Sequence, residues 1–186
     1  HKTRVQSMIE DPPLRILRLR LTYLIIIILV VLLQTLPIQT HPYQFVTPNL
    51  PMVITFVWVM RRPNLMSPIL ITIAFLFADI ILQRPPGLWT LIVLCASMFL
   101  RMRALSFREL IFLYEWSLVA IVITCSFIVY HFSLMFTFLP THDLKLYASQ
   151  ALLTVMIYPI FIWIFRPMLR YALSQTLQKQ TPKAVR

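Results

Sequence analysis

The sequence contains a single glycine, Gly87, among 186 residues. The P-loop, the GxGxxG dinucleotide fingerprint, the GxSxG nucleophile elbow and the GxxxG helix pair each require at least two glycines at fixed spacing. None of these motifs can therefore be written in this chain. The two cysteines, Cys95 and Cys125, lie inside apolar runs, where they behave as small hydrophobic residues, so no disulfide or zinc site is implied.

Acidic residues are scarce, with 6 Asp and Glu against 17 Lys and Arg and a formal net charge of +11. Basic residues gathered on one soluble face would suggest nucleic acid, but here they occur in short groups between apolar runs, which is typical of membrane topology signals. The chain is 59% hydrophobic and 12% charged, with a mean hydropathy of +0.79. Soluble domains have roughly 45–50% apolar and 25% charged residues. The composition therefore predicts an all-α integral membrane protein and no nucleic-acid partner.

Six apolar stretches predict six transmembrane helices, at residues 21–39, 44–60, 64–83, 86–100, 110–139 and 144–165. The second stretch begins irregularly, because Pro48 and Pro51 disfavour helix before them, and Trp58 near its end suits a membrane interface. A basic N-terminal segment, residues 1–20, precedes the spans, and a basic tail, residues 166–186, follows them.

The distribution of basic residues predicts the topology. If all six stretches cross the membrane, one side receives 15 of the 17 Lys and Arg, and the other side only Arg84 and Lys145. By the positive-inside rule both termini are then cytoplasmic, whereas five spans would scatter the basic groups across both sides. The basic residues expected to set topology and to contact anionic lipid include Arg15, Arg18, Arg20, Arg61, Arg62, Arg101, Arg103, Arg166 and Arg170.

The most informative residue is Asp79, since an acid inside a span costs roughly 2.5–3.5 kcal/mol on insertion scales and usually faces protein, water or a partner. Three roles are open for it: a structural brace, hydrogen-bonded to a neighbouring helix or neutralised by Arg84 or Lys145; a contact to a partner protein; or a step in an ion or proton pathway. A proton relay needs a file of titratable groups across the membrane core, and the middle of the predicted bundle offers none. Bracing is therefore the favoured interpretation.

The fifth and sixth spans carry two further features. Glu115, beside Trp116, is interpreted as an interfacial acid paired with Arg101, Arg103 or Arg108. Pro159, inside the sixth span, is expected to kink the helix and to free the carbonyl of Val155, unless a neighbouring side chain binds that carbonyl.

Candidate catalytic and metal-binding groups are weak. The histidines His41, His131 and His142, the last beside Asp143, have no ligand spacing. The serines lack a neighbouring base at a recognisable spacing, and no acid-rich motif is present to hold a catalytic metal. We therefore expect no catalytic residue, metal or cofactor, and a non-enzymatic membrane component.

Residues 49–116 carry a family resemblance. The segment PNLPMVITFVWVMRRPNLMSP is followed by a helix ending in Ala78-Asp79-Ile80, by a Pro86-Gly87-Leu88-Trp89 turn and by the Glu115-Trp116 pair. This order of features, and more loosely the six-span layout, resembles the rod-shape-determining MreD family of the bacterial inner membrane. The partner-binding or structural residues that we single out are Asp79, Arg84, Pro86, Gly87, Trp89, Glu115 and Trp116.

The resemblance implies a scaffold of the elongasome, the machine of lateral cell-wall synthesis. Its partners would be the bitopic protein MreC, the actin-like MreB filament at the cytoplasmic face, the RodA glycosyltransferase and its class B penicillin-binding protein, together with membrane lipids.

The family's membrane fold is also similar to the six-helix substrate-binding components of energy-coupling-factor vitamin transporters. The alternative function is therefore a small-molecule, vitamin-like binding subunit. It would need an exported cavity with convergent polar and aromatic groups. Tyr43, Trp89 and Tyr147 are candidates for its lining, although an aromatic belt at the membrane interface explains them equally well.

Overall fold

The computed structural model describes residues 11–35, 47–106, 112–137 and 144–180. Every regular element in these ranges is an α-helix, which confirms the predicted all-α class. The helices are α1 Asp11–Thr35, α2 Leu50–Arg61, α3 Pro68–Ile81, α4 Leu88–Ser106, α5 Phe112–Phe136 and α6 Leu144–Gln180.

Four of these helices are long and apolar enough to cross a membrane, through their segments Ile16–Thr35, Leu88–Leu105, Leu113–Phe136 and Leu144–Phe165. The protein therefore has the character of a membrane protein. Helices α2 and α3 have 12 and 14 residues, about 18 and 21 Å at 1.5 Å per residue, which is less than the ~30 Å of a hydrocarbon core.

Several helix bounds differ from the predicted spans. Helix α2 begins at Leu50 instead of residue 44 and follows an Asn49 cap, because the side-chain oxygen of Asn49 accepts the Met52 N–H at 3.3 Å. Helix α3 starts only at Pro68, a residue suited to the first helical turn. Helix α6 runs on to Gln180, so its backbone continues into the predicted tail.

The shortest helix, α2, is the innermost one. Every residue from Pro51 to Met60 is buried. Helix α2 packs against α1, α4 and α6, while the pairs α1–α3, α3–α4, α4–α5 and α5–α6 form the layer around it. Trp58, which was expected to suit a membrane interface, is buried among protein side chains: its ring centroid lies 5.7 Å from that of Tyr23 and 6.4 Å from that of Phe165.

Hydrogen bonds as well as apolar packing hold α2 in place. The backbone N–H of Asn49 donates to Thr154 Oγ1 of α6 at 3.1 Å. On the side of α2 that faces α1, the hydroxyl oxygen of Tyr23 in α1 lies 2.9 Å from Thr55 Oγ1. Because Thr55 Oγ1 itself donates to the Pro51 carbonyl at 2.8 Å, the Tyr23 hydroxyl is the donor of that contact.

The outer helices present large apolar side chains on their outward faces. Ile25, Ile69, Ile121 and Trp163 are examples, with Ile69 71% and Trp163 76% exposed. Cys95 and Cys125 are also exposed on α4 and α5. An apolar exterior of this kind is what a lipid environment requires.

Candidate functional site at the α3–α4 turn

Helix α3 ends in a Schellman motif centred on Asp79. The Arg84 N–H donates to the Asp79 carbonyl at 3.0 Å, and the Gln83 N–H donates to the Ile80 carbonyl at 3.3 Å. Gln83 has a φ of 53°, the left-handed conformation in which this motif usually places glycine. The backbone carbonyl of Asp79 thus takes part in terminating the helix that carries it.

The side chain of the same residue caps the next helix. Asp79 Oδ2 accepts the Gly87 N–H at 3.1 Å, the Thr90 N–H at 3.1 Å and the Thr90 hydroxyl at 2.7 Å. The first N–H groups of a helix have no partner within it, and a negative charge there also interacts favourably with the helix dipole. Asp79 is fully buried. Its geometry is that of a brace between α3 and α4.

Gly87 is required by its backbone angle. Its φ is 88°, a backbone conformation that residues with a side chain rarely adopt. Space is not the constraint, because a Cβ added there would meet no atom within 4 Å. Pro86, which precedes it, is exposed. The turn therefore combines two positive φ angles, at Gln83 and Gly87, with two prolines, and it brings the Gly87 N–H to the Asp79 carboxylate.

Trp89 and Arg84 form the inner side of this turn. Trp89 is buried, with its ring centroid 5.2 Å from that of Phe127 and 5.0 Å from that of Tyr130. The guanidinium carbon of the half-buried Arg84 lies 5.4 Å from the centroid of the Trp89 ring, within cation–π range. Within the described ranges, no ion pair joins Asp79 to Arg84 or to Lys145. The alternative in which Asp79 is neutralised by direct contact with one of these bases is not the arrangement seen.

The charge of Arg84 persists in this half-buried setting. Burial lowers the pKa of its guanidinium, while the neighbouring groups Tyr130, Asp79 and Tyr147 act in the opposite direction. An arginine side chain stays protonated in proteins, so Arg84 carries a full positive charge at the edge of the bundle.

A pocket of about 410 Å³ opens between the α3–α4 turn and helices α4, α5 and α6. Trp89 and Tyr147, two of the residues considered for an exported cavity, both line it, next to Arg84 and Tyr130. Tyr43, the third candidate, lies outside the described residues.

A second brace lies at the opposite end of the bundle. Glu115, at the start of α5, is buried; its Oε2 lies 3.2 Å from an Arg61 guanidinium nitrogen, and its Oε1 accepts the Tyr158 hydroxyl at 3.1 Å. We expected Arg101, Arg103 or Arg108 as its partner, but the carboxylate points between α2 and α6 and meets the last residue of α2 instead.

Those expected partners lie elsewhere. Arg103, on α4, is exposed, and its guanidinium carbon lies 5.3 Å from the centroid of the Phe99 ring. Arg101 is half-buried on the same helix, and Arg108 lies outside the described residues.

Trp116 completes this second brace. Its indole Nε1–H donates to the Val155 carbonyl of α6 at 3.3 Å. Val155 is the residue whose carbonyl loses its helical partner because Pro159 has no N–H. Trp116 is therefore the neighbouring side chain that binds the freed Val155 carbonyl, and it links α5 to α6.

The remaining predicted residues are dispersed. Arg20 Nε donates to the Leu65 carbonyl at 3.2 Å, beside the turn after α2, while Arg18 is exposed and Arg62 is half-buried. The side chains of Arg15, Arg166 and Arg170 lie outside the described part of the chain.

The histidines form no metal centre within the described ranges, where no group of three or more His, Cys, Asp or Glu could hold a metal ion. His131 is buried, with its ring centroid 5.2 Å from that of Tyr147. His41, His142 and Asp143 lie outside those ranges.

Sequence inspection missed two of the bracing residues, Thr90 and Tyr158. Thr90 had a usable signal, because a hydroxyl three residues after a glycine-containing turn is suited to the first turn of a helix. Tyr158 had none, since its partner Glu115 is 43 residues away in the chain.

Known proteins supply no further constraint on this site. No family model, curated protein or solved structure matches the chain. Its function is therefore argued from the two braces and the pocket.

Proposed function

We propose that the protein is a non-enzymatic membrane scaffold of the bacterial cell-wall elongation machinery, of the MreD type that is required for rod shape. The observation that carries the proposal is the use made of the buried acids. Asp79 binds the start of α4, and Glu115 binds Arg61 and Tyr158, so both carboxylates are engaged in helix-to-helix contacts. A scaffold needs fixed helix positions, which is what such contacts supply.

The proposed layout has six spans with both termini in the cytoplasm, similar to the substrate-binding components of energy-coupling-factor transporters. It is supported by which residues meet at each end of the bundle. Arg20 reaches the turn after α2, and Arg61 meets the start of α5. At the other end, Arg84 lines a pocket with Tyr147, near the start of α6. These contacts group the end of α2 with the start of α5, and the α3–α4 turn with the start of α6, as the proposed layout requires.

The short helix α2 fits this layout because it contacts protein, not lipid, along its length. A helix inside a bundle need not match the bilayer thickness, since irregular backbone at membrane depth is tolerated where protein covers it. The chain would lie in the bacterial inner membrane as a multi-pass protein.

The proposed partners are those that the family resemblance implies, and such a molecule offers surfaces for them. Its outward apolar faces and exported turns would bind an MreC-like protein, RodA and the class B penicillin-binding protein, and its basic cytoplasmic rim would face the MreB filament. The same rim would attract anionic lipid at about 1 kcal/mol for each basic residue near the surface.

Site-specific photo-crosslinking in bacterial membranes tests the scaffold function. A photoreactive amino acid is placed at the exposed positions Ile69, Leu91, Ile121 and Trp163, with the buried Phe75 as the matched control. We expect MreC-like and RodA-type proteins among the cross-linked species from at least one exposed helix face and none from Phe75, because only outward side chains can reach a partner.

Two results would contradict the scaffold. Transporter ATPases in place of wall-synthesis proteins would favour the binding-subunit function, and no protein partner at any exposed position would exclude a scaffold assembled through these faces.

A vitamin-like binding subunit remains the second candidate, because Trp89 and Tyr147 line one pocket together with Arg84. Equilibrium binding of a panel of vitamins to the purified protein separates the two functions. A ligand bound at micromolar affinity or tighter would place this candidate first.

A further inference from the structure

We propose that the pocket between the α3–α4 turn, α4, α5 and α6 binds an anionic group carried on an apolar or aromatic body, with Arg84 as the side chain that recognises the charge. This inference does not depend on the scaffold function. A scaffold that holds an amphiphile at its surface and a transporter subunit that holds a vitamin would use the same chemistry.

The size and construction of the pocket suit a small ligand. Its volume of about 410 Å³ falls within the roughly 300–1,000 Å³ of known ligand sites. Its walls come from four parts of the chain, namely the turn and three helices, so the cavity is a product of the tertiary fold. The Asp79 brace fixes one of these walls, because it holds the turn against the first turn of α4.

Among the described residues that line the pocket, Arg84 alone carries a charge. Two other arginines of the bundle are occupied: Arg61 by the Glu115 carboxylate and Arg20 by the Leu65 carbonyl. Arg84, in contrast, has no hydrogen bond from its guanidinium to any described residue, and the guanidinium lies against the Trp89 ring. An arginine offers five N–H donors in a planar fork that matches a carboxylate or phosphate, and here the fork is held in place while its donors remain available.

The nearby carboxylate does not cancel this positive charge. Asp79 Oδ2 accepts three hydrogen bonds from Gly87 and Thr90, at the positive end of the α4 dipole. Asp79 Oδ2 is therefore engaged by α4; the Asp79 charge acts on Arg84 through space without an ion pair, so the guanidinium donors stay available to a ligand. Partial burial strengthens its attraction to an anion, because water screens it less than it would screen an exposed side chain.

The rest of the lining is suited to an apolar or aromatic body. Trp89, Phe127 and Tyr130 form one aromatic group, and the Tyr130 ring is followed by that of Tyr147, with centroids 6.0 Å apart. Leu134 adds an aliphatic surface beside them. A ligand that combines a carboxylate or phosphate with an acyl chain or an aromatic ring matches both halves of the pocket.

Two sources could provide such a ligand: an anionic phospholipid of the surrounding membrane, or a water-soluble amphiphile. The lipid arm uses the full chain in nanodiscs of phosphatidylcholine with added phosphatidylglycerol, and native mass spectrometry counts the retained phosphatidylglycerol. The soluble arm uses phosphatidylcholine nanodiscs and measures equilibrium binding of phenylbutyrate against its neutral analogue phenylbutanol.

The test variant is Arg84→Gln, which removes the charge and keeps a polar side chain. The control is Lys145→Gln, an equal loss of charge at an exposed position of the same end of the bundle. Loss of a charge-assisted hydrogen bond is expected to lower the affinity for the anionic probe about tenfold or more in Arg84→Gln and to leave it unchanged in Lys145→Gln. If Arg84→Gln loses affinity for phosphatidylglycerol, the source is phospholipid. If it loses affinity for phenylbutyrate, the source is a water-soluble anion.

A second variant, Arg84→Lys, keeps the charge and so serves if Arg84→Gln does not fold. It loses the planar fork and is expected to weaken binding several-fold. Equal binding of charged and neutral probes, or affinity unchanged in both Arg84 variants, would overturn the proposal. Photo-crosslinking of partners measures a different quantity, so the scaffold function and this ligand site can fail separately.

Discussion

At the scale of single residues, Asp79 shows how an acid is tolerated inside an apolar chain. Its backbone carbonyl accepts the Arg84 N–H at the end of α3, and its carboxylate accepts three hydrogen bonds at the start of α4. The roughly 2.5–3.5 kcal/mol that an acid costs on insertion scales is offset by bonds to N–H groups that would otherwise lack partners. Asp79 therefore organises two helix ends at once.

Asp79→Leu is expected to lower the free energy of unfolding by about 2 kcal/mol, because it removes a helix cap and charge-assisted hydrogen bonds from a buried position. Thermal unfolding in detergent and the protein level in membranes measure the loss. Asp79→Asn is the matched control: it keeps an acceptor oxygen of nearly the same shape and should retain most of the stability.

Other outcomes for Asp79→Leu have distinct meanings. Wild-type stability together with loss of partner cross-links would make Asp79 a partner contact and contradict the bracing role. No change in stability, protein level or cross-links would contradict both roles.

At the scale of helices, α5 and α6 are joined where α6 has a defect in its own hydrogen bonding. Pro159 leaves the Val155 carbonyl without its helical donor, and the Trp116 indole supplies one from α5 at 3.3 Å. One turn away along α6, Tyr158 donates to Glu115, so two adjacent residues of α5 hold the proline-containing segment. The Glu115-Trp116 pair acts as a clamp between helices.

The coupling between Trp116 and Pro159 can be measured with a double-mutant cycle. Trp116→Phe should lower the free energy of unfolding by about 1 kcal/mol in the wild-type chain, because it leaves the partly buried Val155 carbonyl unpaired. In a Pro159→Ala background the new backbone N–H at position 159 can bind that carbonyl, so the same change should cost less. An equal cost of Trp116→Phe in both backgrounds would show that the indole acts by packing alone.

At the scale of the whole molecule, the shortest helix lies at the centre of the bundle. Helix α2 is too short to cross a bilayer alone, yet it is buried from Pro51 to Met60 and contacts α1, α4 and α6. The longer helices surround it and turn large apolar side chains outward. Such an arrangement leaves apolar helix faces on the outside of the bundle and encloses the polar braces.

The proposed six-span topology predicts that the α3–α4 turn and the end of α4 lie on opposite sides of the membrane. In a chain carrying Cys95→Ala and Cys125→Ala, we expect Gln83→Cys to react with a membrane-impermeant maleimide in intact spheroplasts. Arg103→Cys should react only after permeabilisation, because the positive-inside rule places it in the cytoplasm. Both native positions are exposed in the fold, so access to reagent depends on sidedness. Labelling of both positions from the same side would contradict the topology.

The local requirements of this protein could be derived from its sequence. The length and composition of the apolar runs predicted helices. The position of Asp79 inside such a run predicted that it needs a polar partner, and Pro159 predicted an unpaired carbonyl at Val155. These follow from short-range physics, because a helix of given composition either satisfies its own polar groups or does not.

The partners that meet those requirements were decided by the tertiary structure. Asp79 is bound by Thr90, 11 residues further along the chain, and the Val155 carbonyl is bound by Trp116, 39 residues earlier. Glu115 is bound by Arg61, and two helices, α3 and α4, lie between them in the chain. The burial of Trp58 and the position of Arg84 over Trp89 arise in the same way. A polar group in an apolar run indicates that a hydrogen-bond partner is required, but the identity of that partner depends on how the helices pack.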